Sequence, residues 1–172
     1  MDTITLCRLA CSDKLLKKEF CGVFSCDTLP EQKKHFNAFI VNLDVKILPG
    51  SHWISIYFCD NVAYYFDSYG LPPRNRYIRR FMKKNSKIIK YLNICVQDDF
   101  STTCGYFSLY FLHQCVRNLR KKSLRDLHSR NKKQNELFIK DFVKKNFNLS
   151  KCCHVSHAKK QSCAALINMK NY

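Results

Sequence analysis

The sequence predicts an α+β fold in which a mostly antiparallel sheet packs against one buried helix, and three observations support this fold. Two runs of aromatic and β-branched residues, Trp53 to Phe58 and Val62 to Phe66, are typical of a β-hairpin. Apolar residues recur at the spacing of a buried helix between Gly105 and Leu119. Because 172 residues with 46% hydrophobic content can bury one core, we expect a single domain over residues 1–172.

The other elements follow in chain order from the same periodicities. We expect a helix from Asp13 to Phe20, a strand from Phe36 to Leu43, the hairpin, an amphipathic helix within Arg74 to Lys90, a short strand near Leu92 to Val96, and a last helix near Asn135 to Phe147. In the amphipathic helix, Tyr77, Phe81 and Ile88 recur at helical spacing. No tract of Pro, Gly or Ser marks a linker in the sequence.

The predicted hairpin brings His52 and Asp67 to the same end of two paired strands. A two-residue loop at Cys59-Asp60 places His52 directly opposite Asp67. A loop at Asp60-Asn61 moves Asp67 to a diagonal position, but both side chains stay on one face because side chains alternate along a strand. In either register the imidazole and the carboxylate are expected to be neighbours, whereas a three-residue loop without a bulge would separate them.

Cys104 is predicted to open the buried helix, with Ser101, Thr102 and Thr103 available as capping residues. Free backbone N–H groups and the positive end of the helix dipole favour a thiolate at this position. A neighbouring imidazolium favours the thiolate further, and the same helix N-terminus can supply a donor to an oxyanion.

A cysteine protease needs four chemical groups, and the sequence offers a candidate for each: Cys104 as nucleophile, His52 as base, Asp67 as the acid that orients His52, and Gln97 as an oxyanion donor together with the Cys104 N–H. Each residue alone is ordinary, since single polar residues at strand ends and small buried cysteines are common. Their order, local context and predicted geometry together indicate catalysis. Trp53 is either a core residue or a second backbone donor to the oxyanion.

These residues resemble adenain, the maturation protease family of adenoviruses, in the segments Gly50-Ser51-His52-Trp53, Phe66-Asp67-Ser68-Tyr69-Gly70, Gln97 and Cys104-Gly105. The gap of seven residues from Gln97 to Cys104 favours this viral branch over the related ubiquitin-like-protein proteases. The resemblance implies an adenain-like cysteine protease fold and an endopeptidase that cuts viral or virus-like capsid and core precursors after small residues, often glycine, during particle maturation. Asp67 is a departure, because adenovirus enzymes commonly carry Glu there.

The resemblance also implies partners and a location. Adenain uses DNA as a non-specific cofactor and acts in the host nucleus and the virion, so both are expectations for this chain. An activating peptide, which adenovirus enzymes bind through a cysteine upstream of the Gln, is not carried over, because no cysteine here, Cys95 included, aligns securely with that position. We expect a monomer.

The net charge of +17 fits a nucleic-acid partner. The candidate DNA contacts on the predicted amphipathic helix are Arg76, Arg79, Arg80, Lys83, Lys84 and Lys87. A second basic concentration comprises Arg117, Arg120, Lys121, Lys122, Arg125, Arg130, Lys132 and Lys133. The alternative interpretation is a solvated basic surface without a partner.

The eleven cysteines indicate a reducing compartment rather than a disulfide framework, because their number is odd and no secretory signal precedes them. We therefore expect an intracellular protein with mostly free thiols and, without a long apolar run, no membrane span. A zinc site is the alternative at the cluster Cys152, Cys153, His154, His157 and Cys163. We predict no metal, because paired Cys-x-x-Cys spacings are missing from the sequence.

Two other functions fit parts of the sequence. A deconjugating protease for ubiquitin-like modifiers has the same catalytic groups and differs in its substrate cleft. A non-enzymatic, basic nucleic-acid-binding protein accounts for the charge but leaves Cys104 without a role. Reaction of Cys104 with a peptide electrophile distinguishes either protease from the third function.

Overall fold

A computed structural model describes residues 1–128 and 131–149 of the chain. The helices and strands are α1 (Thr3–Ser12), α2 (Leu16–Glu19), β1 (Phe20–Ser25), β2 (Ala38–Asn42), β3 (Trp53–Cys59), β4 (Val62–Phe66), α3 (Arg76–Asn85), β5 (Ile88–Tyr91), α4 (Cys104–Cys115), α5 (Arg120–His128) and α6 (Lys132–Asn146). The predicted α+β class is confirmed. Within these described ranges, no helix has the length and apolar character needed to cross a bilayer.

The five strands form one sheet in the order β1-β2-β3-β4-β5, and its pairing corrects the expected mostly antiparallel sheet. The central pairs, β2 with β3 and β3 with β4, are antiparallel, whereas β1 pairs with β2 and β4 with β5 in parallel. Parallel neighbours need a connection that returns the chain to the other end of the sheet. Helix α3 makes this return before β5, so the sheet is mixed.

The hairpin has the diagonal register, the second of the two registers that the sequence allowed. Ser55 lies opposite Phe66 and Cys59 opposite Val62, which leaves Asp60-Asn61 as the loop. Asp60 adopts a left-handed conformation with φ 53°, as tight turns between strands require. Asp67 therefore sits diagonally from His52, just beyond the end of β4.

Apolar side chains cover both faces of the sheet. On one face, the ring of Phe66 stacks on Phe111 of α4 with centroids 4.6 Å apart. On the other face, Phe81 of α3 makes edge-to-face contacts with Phe39 and Phe58 at 5.1 and 5.5 Å. Because side chains alternate along each strand, α3 and α4 lie on opposite sides of the sheet.

Helix α4 is buried on almost every side, because it lies between the sheet and helices α1, α5 and α6. Gly105 in its first turn permits the close approach of α1. A Cβ atom at this position would lie 3.0 Å from Leu6 Cδ2 and 3.5 Å from Met1 Sδ. The N-terminal helix can thus pack directly beside the start of α4.

Several predicted boundaries are wrong. The basic helix ends at Asn85, and Ile88 lies in β5, where it pairs with Val62 of β4. The predicted strand at Leu92 to Val96 is irregular in the structure. Pairing with β4 overrides the helical spacing of the apolar residues in this segment, as tertiary context often does.

The N-terminal segment also differs from its prediction. The expected helix from Asp13 to Phe20 shrinks to α2, because Phe20 already pairs with Ala38 as the first residue of β1. The preceding helix α1 was not predicted. Its N-cap is Asp2, whose carboxylate accepts the Thr5 N–H at 2.8 Å.

Candidate active site

His52 and Asp67 form a buried pair at one end of the sheet. His52 directly precedes β3, and Asp67 directly follows β4. His52 Nε2 lies 2.8 Å from Asp67 Oδ1, and Asp67 is only 1% exposed. Since Nε2 is bonded to the carboxylate, the ring presents Nδ1 to its other neighbours.

The turn after Asp67 holds the carboxylate in place. Asp67 Oδ1 also accepts the Tyr69 N–H at 2.8 Å, and the Gly70 N–H donates to the Asp67 carbonyl at 2.9 Å. Gly70 has φ 71°, and a Cβ atom there would lie 2.6 Å from the backbone carbon of Ile94. Glycine is therefore required where this turn meets the segment before Gln97.

Cys104 is the first residue of α4, and its buried thiol meets His52. The interactions that shift the pKa of this thiol are with the His52 side chain and with the backbone N–H groups of Trp53 and Gly105, which places these groups beside the sulfur. The structure therefore brings three of the four predicted site residues, His52, Asp67 and Cys104, into one connected cluster. The Trp53 N–H also reaches this cluster.

The electrostatics of the cluster favour a thiolate and an imidazolium. Burial raises the pKa of the Cys104 thiol, but the hydrogen bonds from His52 and from the Trp53 N–H outweigh it, so the pKa is lowered overall. Burial lowers the pKa of His52, whereas the bonds to Asp67 and Cys104 raise it to about 9. Each charged form thus stabilises the other.

The predicted side-chain capping of α4 is wrong. Thr103 is the N-cap residue, but its side chain makes no capping bond to the helix. Its hydroxyl instead donates to Glu136 Oε2 of α6 at 2.7 Å. Because the hydroxyl is engaged elsewhere, the first turn of α4 keeps N–H groups for Cys104, of which the Gly105 N–H already contacts the sulfur.

Gln97 is buried close to the cluster but does not touch its sulfur. Its Oε1 accepts from Ser68 Oγ at 2.5 Å. Its Nε2 donates to the Ser101 carbonyl at 2.9 Å and, more weakly, to the Tyr69 hydroxyl at 3.3 Å. The structure therefore connects Gln97 to the site through Tyr69, whose ring stacks on His52 with centroids 4.8 Å apart.

Sequence reasoning missed Tyr69 and Glu136 as parts of this arrangement. Tyr69 stands two residues after Asp67 in a turn, a position that could have indicated a neighbour of the acid. Glu136 is 33 residues from Thr103 along the chain, and no local pattern connects the two.

Two cavities flank the start of α4. One of about 590 Å³ is bordered by Gly50 and Trp53, and a second of about 950 Å³ is bordered by Thr103 and Tyr106. Residues Met1 and Asp2 border both. Neither lining includes Cys104 or His52, so the two cavities lie beside the cluster and not at the sulfur.

The candidate DNA contacts lie away from this site. All six are exposed on or just after α3, on the opposite side of the sheet from α4: Arg76, Arg79, Arg80, Lys83, Lys84 and Lys87. Lys84 pairs with Glu31 at 3.0 Å. In the second basic concentration two residues are packed, because Arg117 pairs with Asp13 at 2.6 Å and Arg120 lies over the ring of Tyr64 at 4.8 Å.

The alternative zinc cluster, Cys152 to Cys163, lies outside the described residues. Among residues 1–128 and 131–149, no group of three or more His, Cys, Asp or Glu side chains could hold a metal ion.

The chain is similar in structure to a known viral protease. No family model and no curated protein matches the chain. Two crystal structures of the pS273R protease of ASFV are similar in structure, one at 21% identity and TM-score 0.42 over 66% of this chain and 45% of that chain. The other has 18% identity and TM-score 0.43 over 64% and 56%. The chain thus aligns with about half of the pS273R protease, and the resemblance concerns its α+β arrangement.

Proposed function

We propose that this protein is a cysteine endopeptidase of the adenain type. The observation that carries the proposal is the buried imidazole of His52, held between the carboxylate of Asp67 and the thiol of Cys104. A thiol polarised in this way at a helix N-terminus is a nucleophile toward amide carbonyls. The roles are Cys104 as nucleophile, His52 as general acid and base, and Asp67 as the group that orients His52.

The reaction proceeds in two halves. The Cys104 thiolate attacks the carbonyl carbon, and the carbonyl oxygen takes up the negative charge. His52 then gives its Nδ1 proton to the leaving amine as the C–N bond breaks, which leaves an acyl-enzyme. In the second half, His52 takes a proton from water, the resulting hydroxide attacks the thioester, and the acid product leaves as the thiolate is restored.

The oxyanion is stabilised by the Cys104 N–H and by Gln97. The 2.9 Å hydrogen bond from Gln97 Nε2 to the Ser101 carbonyl holds the Gln97 amide in place. The weaker 3.3 Å contact of the same Nε2 with the Tyr69 hydroxyl is the one that a substrate oxyanion replaces. Loss of one such donor reduces turnover by about 10²-fold to 10³-fold, which is the loss we expect for Gln97→Ala.

The substrates that we propose are viral or virus-like capsid and core precursors, cut after small residues such as glycine. The proposal is supported by the order and context of the four motifs. A deconjugating protease for ubiquitin-like modifiers remains the second candidate. Cleavage of short glycine-containing peptides at rates equal to those for modifier fusions favours the endopeptidase, whereas a strong preference for the fusions favours the second candidate.

We also propose that DNA binds the exposed surface of α3 and stimulates cleavage by holding enzyme and substrate on one polymer. The support is the charge of +17 and the six exposed cations named above. Binding of this kind releases counterions and is independent of base sequence. The host nucleus and the virion are the compartments that supply such DNA.

The experiment that tests the proposed function is labelling with a glycine-containing peptide vinyl sulfone, mapped by mass spectrometry. Wild-type protein is expected to carry the label on Cys104 alone, and Cys104→Ala neither labels nor cleaves. Cys59→Ser is the matched control, because Cys59 ends β3 at the opposite end from His52. Continued cleavage by Cys104→Ala, or labelling spread evenly over the thiols, contradicts the proposal.

A further inference from the structure

We infer that Glu136 of α6 is a positioning residue for the oxyanion donor Gln97, acting through Thr103 and Ser101. The inference rests on the proposed function, because it assigns a role within the same site. Glu136 touches neither Cys104 nor His52, so its influence on the reaction has to pass through the segment between Gln97 and α4.

Glu136 binds both ends of that segment. Its Oε2 accepts from the Thr103 hydroxyl at 2.7 Å, and its Oε1 accepts from the Asp98 N–H at 3.2 Å. The side chain is buried, with the residue 8% exposed, and it forms no ion pair with the described part of the chain. Burying a carboxylate without a cation is unfavourable, which points to a positional rather than a stabilising role.

A chain of hydrogen bonds runs from Glu136 to the Gln97 amide. Because the single hydroxyl proton of Thr103 goes to Glu136, Ser101 Oγ must be the donor in its 2.7 Å contact with Thr103 Oγ1. Ser101 Oγ accepts the Thr103 N–H at 3.1 Å in return. The Ser101 carbonyl then accepts from Gln97 Nε2 at 2.9 Å. Each hydrogen bond in this series thereby fixes the orientation of the next group.

The neighbouring residue of α6 secures the other side of Gln97. Asn135 is buried, and its Nδ2 donates to the carbonyls of Val96 and Leu127 at 3.0 Å each. The segment between Val96 and Thr103 has no helix or strand of its own, and Phe100 at its tip is 98% exposed. Side chains of α6 therefore help to order this segment, and Glu136 is the one that binds the N-cap residue of α4.

If Glu136 positions Gln97, removal of its carboxylate should lower kcat and leave substrate binding unchanged. An oxyanion donor acts in the transition state, so displacing it lowers kcat and leaves KM nearly constant. We expect Glu136→Ala to lower kcat by about tenfold to a hundredfold. Glu136→Gln keeps one acceptor oxygen and is expected to lie between wild type and Glu136→Ala. Asp141→Ala, which removes an exposed carboxylate from the same helix, serves as the matched control with unchanged kcat.

The deciding experiment is a double-mutant cycle with Gln97→Ala. If Glu136 acts through Gln97, Glu136→Ala costs less than about twofold in kcat once Gln97 is already Ala. Equal losses in both backgrounds overturn the inference. Thr103→Val, which removes the hydroxyl at constant shape, must reproduce the kcat loss, and this variant decides the question if Glu136→Ala does not fold.

A second readout separates failure of the inference from failure of the proposed function. Alkylation of Cys104 by iodoacetamide forms no oxyanion, whereas a peptide aldehyde adds to the thiol as a hemithioacetal whose oxygen mimics one. Glu136→Ala and Thr103→Val should weaken aldehyde binding by about tenfold and leave the alkylation rate unchanged. Unchanged aldehyde binding overturns the inference alone. Wild-type protein that neither cleaves peptides nor binds the aldehyde overturns the proposed function as well.

Discussion

The charged groups around Cys104 differ from the charged side chains on the outer surface of α3 in burial and in pairing. At Cys104, the thiol, imidazole and carboxylate are buried, the imidazole is hydrogen-bonded to the carboxylate, and the imidazole and the thiol shift each other's pKa. On α3, cations such as Arg79 and Lys83 are exposed. Proton transfer needs fixed partners and little water, whereas binding a polyanion needs cations that are free to displace counterions. Substitutions in the two regions should therefore separate the proposed catalysis from the proposed DNA binding.

The largest effect is expected at Asp67. Asp67→Asn removes the negative charge that stabilises the His52 imidazolium, so the pKa of His52 falls and turnover drops by about 10²-fold to 10⁴-fold. Steady-state cleavage of a peptide measures the loss. Asp60→Asn at the exposed hairpin tip is the matched control and should be silent. A loss below about threefold would remove Asp67 from the catalytic cluster.

The next effect is expected at Gly70, where the turn after Asp67 meets the backbone of Ile94. Gly70→Ala forces a left-handed residue and a 2.6 Å contact, and we expect it to lower the free energy of unfolding by about 2–4 kcal/mol. Urea denaturation measures this change. Gly22→Ala is the comparison: it also places a side chain at a positive φ, 156°, but its Cβ meets only the Phe24 ring at 3.3 Å, so it should cost less. Equal losses would show that the Ile94 contact does not constrain the turn.

The smallest effect on catalysis is expected on α3. The double variant Arg79→Glu with Lys83→Glu should weaken DNA binding and reduce the slope of log affinity against log salt by about 2, while cleavage without DNA stays constant. Fluorescence anisotropy at several salt concentrations measures the slope. Lys17→Glu with Lys18→Glu on α2 makes the same change of charge at another exposed site. Equal weakening by both pairs would mean that net charge, and not the α3 surface, attracts DNA.

The sequence allowed the hairpin and the helix that begins at Cys104 to be predicted because both depend on local periodicity. Alternation along β3 and β4 made the proximity of His52 and Asp67 the same for both two-residue loops, and the structure has the diagonal register. The parallel pairing of β5 was not predictable in this way. It depends on where α3 returns the chain to the sheet, which periodicity does not encode.

The residues that hold the site residues in place could not be predicted from local sequence patterns either. Glu136 reaches Thr103 across 33 residues of chain, and Tyr69 reaches Gln97 across 28. Such contacts follow from how helices pack and not from neighbouring residues. Thr103, one of the three predicted caps, is the N-cap residue, but its side chain makes no capping bond because a distant carboxylate engages its hydroxyl.

The central claim is that Cys104 and His52 form a thiolate–imidazolium pair. The thiolate is present above the lowered pKa of Cys104, and the imidazolium is present below about pH 9, so the pair exists between these limits. The most direct measurement is the rate of Cys104 alkylation by iodoacetamide against pH, with the site mapped by mass spectrometry, in wild type and in His52→Ala. We expect rapid alkylation well below the usual thiol pKa in wild type and its loss in His52→Ala. A single step at the usual thiol pKa, identical in both proteins, would contradict it.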